Sequence, residues 1–421
     1  MQKFVVTGGT PLRGEVRIAG AKNAVLKLMA AAALTDEPVT LRNVPKISDV
    51  TILRETMADL GFEVRRVNGD TLRITGGEPE WLFVPLEAAM KMRASFMLLG
   101  PLLTRFGRVI IPNPGGDRIG RRPVDLHVMA MERLGAEVEY KNGYYFAAAP
   151  DGLRGATVTF PQVTVMGTEN ALLAATLARG TTVIENAAQE PEVDDLIALL
   201  TAMGARISRT APDRLEIEGV EALHGAEHRV IGDRLEAETF AIGAAVTGGE
   251  VTLMGVEPGH LSAFLEVLDR MGVPHGTDAD GHLVVGSAET YRPTDVETAP
   301  YPGFATDFQA PLAVLMTRAD GVSSIHETIY EDRLEYTAEL MKMGAVIEVL
   351  DERRARIAGP TELHGHEVKI TDLRAGATLI LAALAAAETS VISGVEHVDR
   401  GYEQVESKLV ALGARIHRID A

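Results

Sequence analysis

The sequence contains no cysteine in 421 residues. Disulfide bonds, thiolate metal ligands and a cysteine nucleophile are therefore excluded. Long apolar runs are also missing. Even the most apolar stretches, such as residues 379–387, are far too short to span a bilayer, and the chain does not open on a charged-then-apolar signal pattern. We therefore expect a soluble, cytoplasmic protein.

An excess of basic residues is absent as well, since the formal net charge is −18. Such a chain has no basic field to attract nucleic acid or an anionic membrane, so we expect neither as a partner. The 11 histidines show no metal-ligand spacing, and His127 is expected to be packed or hydrogen-bonded. There is no Walker A motif and no dinucleotide-binding glycine fingerprint. We therefore expect no metal and no cofactor.

What the sequence does contain is a sixfold repeat. A Leu-Gly or Met-Gly pair followed by a strand-like segment recurs, with its glycines at Gly61, Gly135, Gly204, Gly272, Gly344 and Gly413. Subtracting consecutive numbers gives spacings of 74, 69, 68, 72 and 69 residues. A glycine that follows an amphipathic helix is typical of a left-handed C-terminal cap. The chain is therefore predicted to hold six copies of one unit.

Each unit has a second helix that is apolar nearly all round, which is typical of a buried helix. We predict these helices at 24–34, 94–103, 170–177, 240–246, 308–316 and 377–387, and a strand after each at 39–41, 109–111, 182–184, 251–253, 324–326 and 390–392. Six units exceed one core, so we predict two domains of three units that divide near 230–234. Residues 1–20 are expected to complete the last unit, and the proline-rich segment 291–302 to be an irregular linker.

The segment 112–127 joins a strand-like run to an amphipathic helix pattern. Gly115 and Gly116 allow its backbone to bend, whereas three prolines stiffen its ends. Its charged residues before the helix are Asp117, Arg118, Arg121 and Arg122. A mobile basic loop at 112–123 favours a lid over a bound anion, and a solvated surface loop is the plainer alternative.

Polar residues gather just before the buried helices. They are Lys22, Asn23, Lys91, Arg93, Thr168, Glu169, Asn170, Asp233, Arg234, Glu236, Asp307, Asp372 and Arg374. Helix N-termini present unpaired N–H groups, so some of these residues, Asp307 and Thr168 among them, could serve simply as caps. Basic residues oppose the helix dipole at this end, which favours an anion-binding role for Lys22, Arg93 and Arg374.

A second polar group precedes the amphipathic helices and comprises Glu190, Glu192, Glu331, Asp332, Arg333, Asp399 and Arg400. Charge at a helix start is a sufficient explanation for Glu190 and Glu192. Arginine, by contrast, suits bidentate recognition of carboxylate or phosphate, which favours a binding role for Arg333 and Arg400.

Several stretches, spread over the whole chain, carry a resemblance to a known family. They are Gly20-Ala21-Lys22-Asn23, Met92-Arg93-Ala94-Ser95, the loop 114–127 with Arg122-Pro123-Val124-Asp125-Leu126-His127, Glu185-Asn186-Ala187-Ala188 with Glu190-Pro191-Glu192, Thr306-Asp307, Thr371-Asp372-Leu373-Arg374-Ala375 and Asp399-Arg400-Gly401-Tyr402-Glu403. On these motifs the chain resembles the UDP-N-acetylglucosamine enolpyruvyltransferases, transferases of peptidoglycan synthesis and thus of cell-wall biogenesis, cell shape and cell division. The related shikimate-pathway synthases lack the Arg-Pro-Val-Asp-Leu-His stretch.

The resemblance implies an α/β fold: a two-domain inside-out α/β barrel, each domain with three βαβαββ repeats around buried helices. One domain would span 22–231 and carry the loop 112–123, and the other would combine 1–21 with 232–421, with the active site in the cleft between them. The 3′-hydroxyl of UDP-N-acetylglucosamine would add to C2 of phosphoenolpyruvate while C3 is protonated. The resulting ketal would then lose phosphate. These two small molecules are the partners implied, without a cofactor or metal.

The resemblance also assigns residues to roles. Catalysis would fall to Asp117, Asp307, Lys22 and Arg400, with Asp307 as base for the sugar hydroxyl or the C3 proton. Phosphoenolpyruvate would be bound by Lys22, Asn23, Arg93, Arg122, Arg333, Asp372, Arg374 and Arg400. UDP-N-acetylglucosamine would contact Asn23, Arg93, Arg122, Pro123, Val124, Asp125, Leu126, Thr164, Asp307 and Ile329.

Two positions depart from the family pattern. Many members have cysteine where this chain has Asp117, the loop-tip residue that is proposed in the family to deliver a proton. Because fosfomycin alkylates that cysteine, we predict intrinsic fosfomycin resistance. Some members have lysine where Gln162 stands, which leaves a diphosphate contact open at this position.

A shikimate-type transferase and a non-catalytic paralogue that binds nucleotide sugars remain as alternatives. The motifs argue against the first, and the presence of Lys22, Asp307 and Arg400 argues against the second.

Overall fold

A computed structural model describes residues 2–77, 79, 81–117 and 119–420, and the chain divides into two compact units. Unit 1 consists of Met1–Ala19, Asp117–Arg121 and Gly232–Ala421, and unit 2 consists of Gly20–Gly116 and Arg122–Ile231. The main divisions of the chain therefore fall at 19/20 and 231/232, where the resemblance implied 21/22 and 231/232. The tip of the loop 112–123 is grouped with unit 1.

Helices and strands follow one another in a repeating order. The strands are β1 (Gln2–Thr7), β2 (Arg13–Arg17), β3 (Val39–Arg42), β4 (Glu63–Asn68), β5 (Thr71–Thr75), β6 (Arg108–Pro112), β7 (Glu137–Lys141), β8 (Tyr144–Ala148), β9 (Thr157–Thr159), β10 (Thr181–Glu185), β11 (Arg206–Ala211), β12 (Arg214–Glu218), β13 (Glu227–Arg229), β14 (Glu250–Met254), β15 (His275–Thr277), β16 (Leu283–Val285), β17 (Asp295–Glu297), β18 (Gly321–His326), β19 (Val346–Val349), β20 (Arg354–Gly359), β21 (Glu367–Lys369), β22 (Thr389–Ser393) and β23 (Arg415–Asp420).

The α-helices are α1 (Lys22–Ala31), α2 (Ser48–Asp59), α3 (Leu86–Lys91), α4 (Leu99–Phe106), α5 (Asp125–Arg133), α6 (Val165–Ala175), α7 (Pro191–Ala202), α8 (Arg234–Thr247), α9 (Ser262–Met271), α10 (Gln309–Met316), α11 (Tyr336–Lys342), α12 (Leu373–Ala385) and α13 (Val405–Ala411). Short 3₁₀ helices lie at Ala32–Leu34, Arg93–Leu98, Pro258–Leu261, Thr306–Phe308 and Val395–Arg400.

The repeat predicted from the glycines is confirmed. All six repeat glycines have positive φ angles, between 80° at Gly272 and 101° at Gly204. Each follows an amphipathic helix, where the left-handed conformation closes the last turn at no steric cost. Each predicted strand after a buried helix also forms, in β3, β6, β10, β14, β18 and β22.

Each repeat contributes one small sheet. In unit 2 the strand orders are β13-β3-β5-β4, β6-β8-β7 and β11-β12-β10-β9; in unit 1 they are β15-β16-β14-β2, β17-β18-β20-β19 and β21-β22-β1-β23. The expectation for residues 1–20 is confirmed in part. Strand β1 completes the last repeat by pairing with β22 and β23, whereas β2 pairs in parallel with β14 of the fourth repeat.

Buried helices form the centre of each unit. In unit 1, α8, α10 and α12 pack against one another and have almost no exposed residues. The predicted helix starts were wrong by four to six residues for α6, α8 and α12, because a helix that is apolar on every side gives no periodic signal at its polar first turn. The irregular-linker expectation for 291–302 was also wrong, since β17 lies inside it and pairs with β18. The prolines flank this strand, where they cost no ladder hydrogen bond.

No helix among the described residues is long and apolar enough to cross a membrane.

His127 is packed inside unit 2, as the sequence predicted. It is 3% exposed, and Asn170 Nδ2 lies 3.1 Å from its Nδ1. Because an amide nitrogen can only donate, the Nδ1 atom accepts and the ring is neutral. Burial lowers the pKa of His127 to about 3, and the nearby charge of Arg93 acts in the same direction.

This burial predicts a pH-dependent stability. Between pH 6.5 and 3 the unfolded chain binds a proton on His127 that the folded chain rejects, so stability falls as the pH falls, by up to about 1.4 kcal/mol per pH unit. We expect the free energy of unfolding, measured by urea denaturation, to decrease less between pH 6.5 and 5 in His127→Gln than in the wild type. His364→Gln, at an exposed histidine, is the matched control, and equal slopes in all three proteins would contradict the prediction.

Candidate active site

Asp307 lies at the centre of a charged cluster in unit 1. It occupies the 3₁₀ turn that leads into α10, and its carboxylate accepts a hydrogen bond from Arg333 Nη2. Arg374 Nε lies 3.5 Å from the same oxygen. The side chain of Asp307 is 25% exposed, whereas those of the two arginines are 5% and 8% exposed. The alternative that Asp307 merely caps a helix is not what the structure shows.

The arginines control the charge of Asp307. Burial alone would raise its pKa, but the charges of Arg374, Arg333 and Arg234 outweigh burial and hold the pKa well below its usual range. Asp307 is therefore ionised at neutral pH. An anionic ligand that pairs with these arginines would weaken their effect and make the carboxylate a stronger base.

Two predicted site residues form the first turn of α12. The side chain of Asp372 caps the helix by accepting from the backbone nitrogens of Arg374 at 2.8 Å and Ala375 at 3.2 Å. Arg374 is the second residue of the helix and is buried. The cap fixes the start of the helix and thereby directs Arg374 towards Asp307.

The loop tip contacts Arg400. Arg400 ends a 3₁₀ helix, and its Nη1 donates to a carboxylate oxygen of Asp117, with 17% of each side chain exposed. Gly120 lies so close to Glu331 that a Cβ atom would stand 2.4 Å from its Oε2. In this arrangement the carboxylate of Asp117 forms an ion pair with the guanidinium of Arg400. Arg118 lies outside the described residues.

Lys22 starts α1 in unit 2. Its Nζ lies 2.9 Å from Oδ2 of Asp49, and both side chains are buried. The neighbouring Asn23 is half-buried. The positive charge of Lys22 opposes the helix dipole, which by itself favoured an anionic ligand at this helix start. Because Asp49 neutralises that charge, the charge alone does not require such a ligand. Asp49 was not among the predicted site residues, because nothing in its local pattern distinguishes it.

Arg93 and Arg122 lie beside the loop glycines in unit 2. Arg93 Nη2 donates to the backbone oxygen of Pro123 at 2.9 Å. A Cβ atom on Gly116, which has φ of +117°, would lie 3.2 Å from Arg93 Cβ and 3.7 Å from Arg122 Nη1. Val124 is buried before α5, Asp125 opens that helix and is exposed, and Leu126 packs against the core.

Thr164, not Thr168, caps α6, since its hydroxyl accepts from the backbone nitrogen of Gly167 at 3.3 Å. Thr168, Glu169 and Asn170 were predicted to precede this helix, but they lie inside it and are fully buried. Glu169 faces Lys27 at 3.4 Å, and burial, opposed by that lysine, raises the pKa of Glu169 to about 7. Gln162 is exposed.

Glu190 and Glu192 stand at the start of α7, as the sequence indicated, but their side chains are buried and are not surface charges. Asp399, from the same polar group, forms two hydrogen bonds with Arg418 and so has a structural partner.

Glu327 was not among the predicted site residues either. This fully buried carboxylate accepts from the hydroxyl of Thr306 at 2.7 Å and from the backbone nitrogens of Ile329 at 2.7 Å and Tyr330 at 3.1 Å. It thereby joins the turn that carries Ile329 to the residue that precedes Asp307. No local motif marks Glu327, because Thr306, the partner that links it to the site, lies 21 residues away in the sequence.

Comparisons with known proteins agree with this architecture. A family model described as EPSP synthase (3-phosphoshikimate 1-carboxyvinyltransferase) matches residues 6–409. The enolpyruvyl transferase NikO from Streptomyces tendae has a TM-score of 0.87 and 26% identity, with 100% of this chain and 99% of that chain covered. EPSP synthase from Acinetobacter baumannii has a TM-score of 0.78 at 18% identity, with both chains fully covered, and so shows the fold alone. The fold and these matches define the class: this is an enolpyruvyl transferase with the inside-out α/β architecture that was expected.

Curated relatives narrow the class. Proteins named UDP-N-acetylglucosamine 1-carboxyvinyltransferase from Solibacter usitatus and Afipia carboxidovorans are 45% and 47% identical to this chain, with both chains fully covered in each case. The relative of that name from Caulobacter vibrioides is 45% identical over 100% of this chain and 98% of its own length. The chain belongs to the UDP-N-acetylglucosamine 1-carboxyvinyltransferase family.

Proposed function

We propose that this chain transfers the enolpyruvyl group of phosphoenolpyruvate to the 3′-hydroxyl of UDP-N-acetylglucosamine and releases phosphate. The reaction would be the first committed step of peptidoglycan synthesis and would take place in the cytoplasm. The observation that carries the proposal is Asp307, a partly exposed carboxylate held by two buried arginines. Such a carboxylate becomes a stronger proton acceptor once an anionic substrate pairs with the two arginines.

The proposed roles follow the two steps of the reaction. Asp307 takes the proton of the 3′-hydroxyl as its oxygen adds to C2, and C3 gains a proton. Loss of a C3 proton and of phosphate then leaves the enolpyruvyl ether. Catalysis also involves Lys22, Arg400 and Asp117. Phosphoenolpyruvate is bound by Lys22, Asn23, Arg93, Arg122, Arg333, Asp372, Arg374 and Arg400. The lysine and the arginines of this set suit its carboxylate and phosphate groups. The nucleotide sugar is bound by Asn23, Arg93, Arg122, Pro123, Val124, Asp125, Leu126, Thr164, Asp307 and Ile329.

A phosphate-release assay tests the function. With phosphoenolpyruvate present, we expect phosphate only when UDP-N-acetylglucosamine is added, and none with shikimate 3-phosphate. Phosphate release with shikimate 3-phosphate as the acceptor, but not with UDP-N-acetylglucosamine, would assign the shikimate-type activity. Binding of the nucleotide sugar without release of phosphate from phosphoenolpyruvate in the presence of either acceptor would instead identify a non-catalytic paralogue.

We also predict that the nucleotide sugar orders the loop. The flexible glycines at 115 and 116 give this segment freedom that binding by Arg122 and Pro123 would remove. Amide hydrogen exchange in 113–117 and 119–122 should slow at saturating UDP-N-acetylglucosamine. UDP-glucose, which lacks the acetamido group, serves as the comparison ligand, and unchanged exchange with UDP-N-acetylglucosamine would refute a ligand-ordered loop.

A further inference from the structure

Tyr402 belongs to a buried series of polar contacts that leads through Arg374 to Asp307. Its hydroxyl lies 2.8 Å from Thr239 Oγ1 and accepts from Arg374 Nη1 at 3.1 Å. Arg374 in turn presents Nε to Asp307 at 3.5 Å. All these groups belong to unit 1, and Tyr402 is 3% exposed.

The direction of each hydrogen bond can be assigned. The single hydroxyl proton of Thr239 is donated to the backbone oxygen of Leu235 at 3.0 Å. In the contact with Tyr402 the threonine oxygen must therefore accept, and Tyr402 donates. The lone pairs of the Tyr402 oxygen are then left for Arg374, which can only donate. Thr239 thus orients the tyrosine oxygen as an acceptor for the guanidinium.

Packing leaves this arrangement few alternatives. The guanidinium carbon of Arg374 lies 5.8 Å from the centre of the Tyr402 ring, and the apolar side chains of Val398, Val405 and Leu409 surround the same region. A buried N–H without an acceptor costs about 1–3 kcal/mol. Loss of the tyrosine oxygen would therefore drive Arg374 to seek another partner.

We propose that Tyr402, oriented by Thr239, is a positioning residue that holds the guanidinium of Arg374 against the carboxylate of Asp307. This inference rests on the proposed function, in which Asp307 is the base. Neither Tyr402 nor Thr239 contacts the carboxylate itself, so both act through Arg374.

The consequence is a predicted pH effect. The titratable and charged groups that act on Asp307 and its arginines are Arg234, Arg333, Arg374, Asp233, Glu238, Asp372, Tyr330 and Tyr402, and burial raises the pKa of Glu238 well above its usual range. Arg374 lowers the pKa of Asp307, so a displaced Arg374 lets that pKa rise. Because a general base must be unprotonated to act, displacement of Arg374 should move the acid limb of the pH profile of kcat to higher pH.

The test compares Tyr402→Phe with the wild type. We expect kcat to fall about tenfold in Tyr402→Phe, which corresponds to about 1.4 kcal/mol in the activation free energy. KM for UDP-N-acetylglucosamine should stay within twofold, and the acid limb of the pH profile should shift to higher pH. Thr239→Ser, which keeps the hydroxyl, should behave as the wild type, and Thr239→Val should shift the profile in the same direction as Tyr402→Phe. Tyr140→Phe, at an exposed tyrosine, is the matched control.

A second measurement does not require turnover. The Nε–H proton of Arg374, assigned by its loss in Arg374→Lys, should exchange with solvent faster in Tyr402→Phe than in the wild type. An unchanged exchange rate, or a lower kcat with an unmoved acid limb, would overturn the positioning role. If the wild type releases no phosphate, the proposed function fails, and the exchange comparison still decides whether Tyr402 positions Arg374.

Discussion

Asp307→Asn should reduce turnover by roughly 10²–10⁴-fold, the contribution typical of a positioned general base. Asparagine keeps the shape of the side chain and can still accept from Arg333, but it cannot take the proton of the sugar hydroxyl. Affinity for the nucleotide sugar should change far less, because many other contacts are proposed for that ligand. Phosphate release measures the first effect and titration calorimetry the second.

The control for this variant is Asp280→Asn, an exposed acid of unit 1 that the proposed function does not use. It should retain wild-type turnover. If Asp307→Asn retained half of the wild-type turnover, Asp307 would not be the general base. If it lost nucleotide-sugar binding in proportion to turnover, the residue would be a binding group instead.

The second large effect concerns the loop tip. The unmodified protein should resist fosfomycin, since the residue that would be alkylated is Asp117 and the chain contains no cysteine. A carboxylate is a far weaker nucleophile than a thiolate, and in the structure this carboxylate is paired with Arg400. Asp117→Cys should remain active and become sensitive, with time-dependent inactivation and a mass adduct at position 117.

Asp117→Ser separates the thiol from the mere loss of the carboxylate, because serine lacks both. It should stay resistant whatever its activity. Covalent labelling of the unmodified protein at Asp117 would show that the carboxylate reacts after all, and Asp117→Cys that stays unlabelled would mean that the loop does not present this position to the epoxide.

Much of the fold was predictable because its signals are local. The repeat glycines mark helix ends through a backbone angle that glycine adopts without strain, and the strands show their alternation within five residues. The starts of the buried helices were not predictable in the same way. Thr164 caps α6 while Thr168 lies inside it, yet both precede apolar sequence and have the same capping chemistry.

Burial explains the other misjudged residues. Glu190 and Glu192 look like surface charges in a sequence window, because carboxylates are rarely buried, and only packing shows that they are. The residue types of the candidate site were evident from the motifs, but their partners were not. Asp49 beside Lys22 and Glu327 beside Thr306 carry no signal of their own.

The sequence by itself determined six repeats, strands in the predicted places, a chain without thiol chemistry, and a family to which full-length relatives assign it. Local periodicity and motif content suffice for those conclusions. Tertiary structure decided that Arg333 and Arg374 hold one carboxylate between them, that the Tyr402 hydroxyl accepts from Arg374, and that Asp117 pairs with Arg400 across 283 residues of sequence. Pairings between side chains on separate elements arise only when packing brings those elements together, so no local pattern encodes them.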